Sequence, residues 1–386
     1  MPPRSVVMVS AGFHPYVGGS EKQALELSVA LKDAGWRVVA ATRRLTGLPA
    51  RETVRGVEVA RLWAPWRGRA NSLAFMASLF VFLLRKASTY DAIHVHLAGS
   101  PALPASLAGR ILGKPVIVKL GGGRGIGELG ASAGTFLGRL KIRLLRWLGP
   151  KFVVVTPDLR EEVAAYGLTG GHVSVLPNGV DTRTYRPAAA AERAALRREW
   201  GWPEGLGFLY VGRLSPEKRL GMFLEALADS ARVAKPPFFV SFVGEGPEER
   251  SLKELAAKLG LKAFFHWPLT DVWKAYQAAD VFVLPSVSEG LSNSLLEAMA
   301  CGLAALASRV GGTVDAVVDG KTGILFDDLT GLGKGIERLL GEPGLAAAMG
   351  KAGRERSLGF SITETARRYE VLYLAETQGE HRRKAA

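Results

Sequence analysis

The sequence predicts an α/β protein built from two doubly wound domains, each a parallel sheet covered by helices, facing a central cleft. Three observations predict it. Short apolar segments bounded by glycine or proline alternate with helix-like stretches along the whole chain, the pattern of parallel strands with crossover helices. The 386 residues are too many for one ordinary core. The alternation also halts at Tyr185-Arg-Pro-Ala-Ala-Ala-Ala and then begins again.

Taken in order, residues 5–10 are a buried strand and 21–34 a helix that stops at Gly35. Residues 37–42, 92–97, 115–120, 152–156 and 173–176 are further strands, each apolar and β-branched. After the connection come a strand at 207–212, a helix at 220–227, a strand at 237–243, a helix at 247–259 and a strand at 263–266. The series continues through 275–278, 281–284, 295–300, 304–308 and 323–326. Two such halves bind ligands at the C-terminal ends of their strands, in the cleft between them. Residues 1–185 form the first domain and 186–359 the second.

Composition narrows the function. Hydrophobic residues at 48% with 22% charged describe a globular protein. A net charge of +14 implies an anionic partner: a nucleotide, a nucleic acid or an acidic membrane surface. No arginine-rich tail with interleaved aromatics and no zinc spacing is present, so nucleic acid is set aside. Cys301 is the single cysteine, which excludes an internal disulfide and fits a reducing, cytoplasmic compartment. The apolar run 6–9 is too short for the core of a signal peptide. The longest apolar run, 73–84, suits a buried or interfacial helix and not a span.

The densest chemistry lies in Glu289-Gly-Leu-Ser-Asn-Ser-Leu-Leu-Glu297, which follows the strand at 281–284. Past Gly290, the backbone N–H groups of Leu291, Ser292 and Asn293 stand at the start of a helix, where an anion is held. Glu289 sits in the loop and Glu297 within the helix, so one junction can hold a phosphate and two hydroxylated groups. Ser294-x-x-Glu297 also reads as a capping box, and that role stands beside the binding role. A second junction, Tyr210-Val-Gly-Arg213-Leu-Ser-Pro-Glu-Lys218, places two cations between a strand end and a helix start. Cations there oppose the helix dipole by roughly 0.3–1 kcal/mol, which an anionic ligand offsets. In the first half, Gly18-Gly19-Ser20-Glu21 opens a helix, with Ser20-x-x-Gln23 a capping box. Gly125-x-Gly127-x-x-Gly130 fits the dinucleotide fingerprint in form only, because a basic stretch follows where an acid is required.

These motifs resemble the retaining glycosyltransferases of family 4, whose GT-B fold pairs two Rossmann-like domains. The resemblance is strongest over residues 207–326. It implies that Gly19 approaches the donor phosphate, and that Arg213 and Lys218 neutralise a leaving nucleoside diphosphate. It further implies that Glu289 holds hydroxyls of the transferred sugar and Glu297 the ribose. Val243-Gly-Glu-Gly246-Pro resembles the family's glycine turn beneath the nucleotide, and Gly244 and His266 join Gly290, Leu291, Ser292 and Asn293 in the implied donor set. Pro177-Asn-Gly-Val-Asp181 and Tyr185-x-Pro187 resemble its entry to the domain connection. Residues 360–386, with Phe360, Tyr369 and Tyr373, resemble its last helix, which crosses back to the first domain.

The chain departs from the family after the strand at 115–120. Many members carry Thr-x-His there; this chain has Lys119-Leu-Gly121, so the usual histidine near the acceptor is absent. His94 and His96 at a neighbouring strand end, Gly121, and Glu128 in the glycine loop are the candidate acceptor contacts.

The expected activity is transfer of a sugar from a UDP-, GDP- or ADP-linked donor to a sugar or lipid-linked acceptor hydroxyl, with retention. No Asp-x-Asp motif marks a metal at the donor site, so no metal and no other cofactor is expected. A sugar-nucleotide epimerase or phosphorylase, or a silent nucleotide-sugar-binding protein, are the alternatives. Residues 136–148 complete the expectations. Arg139, Arg143 and Arg146 share one side of a helix, while Leu137, Leu140, Leu144, Trp147 and Leu148 make an apolar arc. Such a helix lies in an anionic membrane interface or packs its arc into the core.

Overall fold

The computed structural model describes residues 4–15, 18–65, 68–122, 128–169, 172–233, 237–267 and 270–385. They divide into two compact units: one runs to Gly179 and takes the chain back from Ile362, and the other is Val180–Ser361.

The first unit is built on eight strands: β1 (Ser5–Ser10), β2 (Arg37–Arg43), β3 (Arg51–Val54), β4 (Val57–Leu62), β5 (Ala92–His96), β6 (Val116–Leu120), β7 (Lys151–Val154) and β8 (Val173–Val175). Their spatial order is β3-β4-β2-β1-β5-β6-β7-β8, parallel except for β3 against β4. That hairpin goes beyond the sequence expectation. It is turned by Arg55 and Gly56, both at positive φ, and its outer strand β3 buries only Val54, as an edge strand can. β5 stops at His96, one residue short of expectation, because Leu97 adopts φ 70°.

Right-handed crossovers sort the helices. Gly19–Asp33 packs against the last helix, Ile362–Ala385, over a core holding Trp36, Tyr369 and Tyr373. Gly68–Arg85, Ala102–Leu112 and Phe136–Leu148 connect strands in the opposite direction along the sheet, so they fall on its other face, each packed on the next. No helix among the described residues is long and apolar enough to cross a membrane.

The second unit holds six parallel strands: β9 (Leu206–Val211), β10 (Phe238–Val243), β11 (Ala263–His266), β12 (Val281–Leu284), β13 (Ala304–Ser308) and β14 (Gly323–Phe326). Their order is β11-β10-β9-β12-β13-β14. The unit begins at Val180, earlier than the composition shift at Tyr185 suggests. Arg354 explains the difference: its guanidinium donates to the Thr182, Tyr185 and Ala300 carbonyls, fixing the connection to this unit. At the far end the unit closes at Ser361 rather than 359, with Val180 donating to the Phe360 carbonyl at 2.9 Å.

Candidate active site

In the second unit β9 and β12 lie side by side, yet the chain leaves β9 toward β10 and β11 and leaves β12 toward β13 and β14. At such a reversal the loops beyond the strand C-termini part, and a ligand crevice opens between them. The two predicted junctions are those two loops.

Their side chains meet. Lys218 Nζ donates to Glu289 Oε1 at 2.6 Å, an ion pair joining residues 71 positions apart. Both side chains are mostly buried, at 21% and 13% exposure, so solvent and salt screen their attraction little, and removing one partner would leave the other charge buried and unpaired. The backbone repeats the link, with Val287 N–H donating to the Glu217 carbonyl at 2.9 Å. Glu217 is itself held by the Ser215 hydroxyl at 2.6 Å, which keeps its carboxyl below the usual range. Arg213 stands exposed at the end of β9, and its guanidinium makes no hydrogen bond or salt bridge among the described residues. Its loop is shaped by the buried Tyr210, whose hydroxyl donates to the Arg213 carbonyl at 2.9 Å. Burial, and then the nearby Glu289 carboxylate, push the Tyr210 phenol well above its ordinary range, so it stays protonated as a donor.

Two glycines set the loop heights. Gly244 has φ 147°, and a Cβ there would lie 1.9 Å from the Gly212 carbonyl oxygen. The loop after β10 can therefore rest directly on the loop after β9, and Leu214 N–H donates to the Glu245 carbonyl at 2.9 Å. Gly311, past β13, has φ 43°, and a Cβ would lie 1.8 Å from the Glu289 carbonyl oxygen. Tyr210 and Gly311 were not among the predicted residues; the Gly311-Gly312 pair after a strand was the available signal for the second.

The helix after β12 is Asn293–Ala300, and its N-cap is Ser292, whose hydroxyl accepts from Leu295 N–H at 3.4 Å. One expectation changes. The capping box is not Ser294-x-x-Glu297, because Leu295 occupies the position a box would give to glutamate. Leu291 precedes the helix and Asn293 is its first residue. Glu297 is 5% exposed and faces the buried Tyr276 and Cys301. Burial and then this carboxylate raise both their pKa values, which keeps both neutral. His266 ends β11, two strands from β9. Its Nε2 accepts from the Trp202 indole at 3.2 Å and its ring lies against Trp200, while its carbonyl accepts from Gly244 N–H. Burial lowers its pKa. Gly290 occupies the loop between Glu289 and the buried Leu291.

In the first unit Gly19 begins the helix Gly19–Asp33, with Gly18 as N-cap. The expected capping box does not form: Gln23 instead pairs with the Gly179 backbone, donating at 2.7 Å and accepting at 3.1 Å. The structure also corrects His94 and His96. At 0% and 2% exposure they offer no surface to an acceptor. The rings stack at 4.6 Å; His94 Nδ1 lies 2.6 Å from the Tyr373 hydroxyl and His96 Nε2 3.0 Å from Met8 Sδ. Burial holds both well below the ordinary imidazole pKa, and the same burial brings Lys119 down to about 7. Gly121 follows β6 and is partly exposed. Glu128 opens a short helix, Glu128–Ala133, and its side chain lies outside the described residues, as do residues 123–127 of the glycine loop. No group of three His, Cys, Asp or Glu that could hold a metal occurs among the described residues.

Comparison with known proteins decides the family. Residues 192–356 match the family model described as glycosyl transferases group 1, and residues 17–184 match that of glycosyltransferase family 4. D-inositol 3-phosphate glycosyltransferase 2 of Catenulispora acidiphila is 30% identical over 94% of this chain and 93% of its own length. The chain is a family 4, group 1 glycosyltransferase. The fold of this glycosyltransferase agrees. Sucrose-phosphate synthase of Thermosynechococcus elongatus superposes with a TM-score of 0.77 over 96% of this chain and 98% of that one, at 22% identity. Anabaena HepE, crystallised with UDP, gives the same TM-score over 96% and 100%, at 17% identity.

Proposed function

We propose that this glycosyltransferase moves a sugar from a nucleoside-diphosphate donor to an acceptor hydroxyl with retention of anomeric configuration and without a metal ion. It works at the inner face of a membrane, in the synthesis of a cell-surface glycan or glycolipid. The observation that carries the reading is the Lys218–Glu289 pair at 2.6 Å, which sets a cation and a carboxylate together between β9 and β12.

The chemistry is electrostatic. Arg213 and Lys218 stabilise the charge that develops on the departing diphosphate, the role a metal would otherwise fill. As the diphosphate draws Lys218, Glu289 becomes free to accept hydrogen bonds from sugar hydroxyls and to steady positive character in the ring. Glu297 takes the ribose from within the helix. UDP, the nucleotide crystallised with HepE, is the first donor nucleotide to test, with ADP and GDP beside it. The acceptor is a sugar or lipid-linked hydroxyl.

The test combines sugar nucleotides with lipid and glycan acceptors in the presence of a chelator. Release of nucleoside diphosphate only when acceptor is present, with the donor's anomeric configuration kept in the product, is the expected result. Interconversion of the sugar nucleotide alone would identify an epimerase instead. Full loss of transfer on chelation would refute metal independence.

A further inference from the structure

One face of the first unit carries a chemistry that sugar transfer does not use. Its three neighbouring helices, Gly68–Arg85, Ala102–Leu112 and Phe136–Leu148, contain no Asp or Glu in 42 residues. They hold seven Lys and Arg, half of the net charge of +14. Charge this concentrated acts on a partner, because even mixing of signs would serve solubility.

The same helices expose apolar side chains. Phe136–Leu148 is capped at both ends, by the Thr135 hydroxyl accepting from Gly138 N–H at 3.1 Å and by Gly149 in the left-handed region. It packs inward through Ile142 and Leu145. Phe136, Leu137, Leu140, Leu144 and Trp147 point outward, with Phe136 74% and Trp147 63% exposed. The apolar arc is therefore the outer surface of this helix and not its core side. Arg139, Arg143 and Arg146 form the adjoining stripe and are exposed. Arg110 of the next helix lies 4.7 Å over the Trp147 ring, and Leu107 and Ile111 extend the exposed surface there. Leu73 and Val81 continue it on the third helix. Nine of the 18 exposed large hydrophobic side chains among the described residues lie on these three helices.

At the C-terminal end of Phe136–Leu148 a cavity of about 540 Å³ is lined by Arg143, Arg146, Trp147, Phe152, Leu168 and His172. It sits at the N-terminal ends of β7 and β8, the end of the sheet opposite that of the ligand-binding loops of such folds. A lining that combines two arginines with Trp147, Phe152 and Leu168 suits a phosphate joined to a hydrocarbon.

We propose that this face seats the protein on an anionic bilayer. The aliphatic and Trp side chains enter the boundary between headgroups and acyl chains, the three arginines of Phe136–Leu148 lie at the level of the phosphates, and the cavity receives one headgroup. Charge complementarity selects this occupant. A second copy would bring the same positive face against itself, and a nucleic acid would find only two exposed rings, Phe136 and Trp147, the latter already stacked by Arg110, among seven aliphatic side chains that it cannot stack upon. The proposal deepens the membrane-proximal reading above, but binding is measured without donor or acceptor, so either can fail while the other stands.

The experiment is co-sedimentation of the full chain with vesicles of phosphatidylcholine alone or with one-third phosphatidylglycerol. It is run at low salt and at ~1 M, where the Debye length falls to about 3 Å. Binding to the anionic vesicles at low salt, with loss on pure phosphatidylcholine, is expected. Charge reversal at Arg139→Glu, Arg143→Glu and Arg146→Glu together should weaken partitioning roughly a hundredfold or more. The single change Trp147→Ser, at an exposed site that the fold does not need, should weaken it roughly tenfold. Thermal unfolding and nucleoside-diphosphate binding, both expected to be unchanged, show that the variants are folded. A wild type that stays in the supernatant with anionic vesicles, variants that pellet as the wild type does, or a DNA duplex that displaces the vesicles would each overturn the proposal.

Discussion

Glu289 and Glu297 are eight positions apart in sequence and meet different surroundings. Glu289 faces a lysine across the crevice at 2.6 Å, whereas Glu297 lies inside the fold beside two neutral groups, Tyr276 and Cys301. Their amide variants should therefore separate. Glu289→Gln is expected to lower kcat by about 10²- to 10³-fold with a small change in nucleotide affinity, because the charge it opposes develops during transfer. Glu297→Gln should chiefly raise the nucleotide Kd. A shared pattern in kcat and Kd for both variants would contradict the assignment. The cap is testable at the same scale: Ser292→Ala should cost about 1 kcal/mol of stability and Ser294→Ala much less, read by denaturant unfolding. Gly311→Ala should impair turnover, since its Cβ would displace the backbone of Glu289, which it would approach to 1.8 Å.

The elements were legible where a strand or helix announces itself by its own residues. Strands β1, β2, β5, β6 and β9–β13 are apolar runs ended by glycine, proline or a polar turn, and periodicity finds them. The β3–β4 hairpin escaped because its charged, alternating sequence gains strand character from pairing with β2. The candidate site was legible as two loops, Arg213 to Lys218 and Glu289 to Glu297. Their pairing was not, because residues 71 apart meet only through the strand order. His94 and His96 were misjudged for a similar reason: Tyr373, which lies 279 residues from His94, reaches it from the last helix. This buried cluster between β5 and β6 has a measurable consequence. Lys119 has a folded pKa of about 7 against 10.5 for an ordinary lysine. Between those values the unfolded chain binds the proton more readily, so stability rises with pH there. His94 and His96, depressed in the same direction, take stability away as pH falls below 6.5. The unfolding midpoint should thus climb from pH 6 to 9. Lys119→Met should raise it by several degrees at pH 7 and flatten the slope between 7 and 9. An unchanged slope would show that Lys119 is already neutralised by a partner.

Across the molecule, positive charge and ligand chemistry are divided between the units. The first holds half of the net charge of +14 on a face of acid-free helices, and the second holds the paired loops at the strand reversal. The family supplies the activity, and the paired loops of the second unit are where we propose that it is performed. The central claim is that Arg213 and Lys218 hold a nucleoside diphosphate at that reversal. Calorimetric titration of UDP, ADP and GDP into the wild type and into the double variant Arg213→Ala/Lys218→Ala tests it most directly. Charge-assisted hydrogen bonds to phosphate contribute roughly 1.5–3 kcal/mol each, so saturable binding by the wild type and a loss of about a hundredfold or more in the variant are predicted. Equal affinity in the two proteins, or no binding of any of the three nucleotides to the wild type, would contradict it.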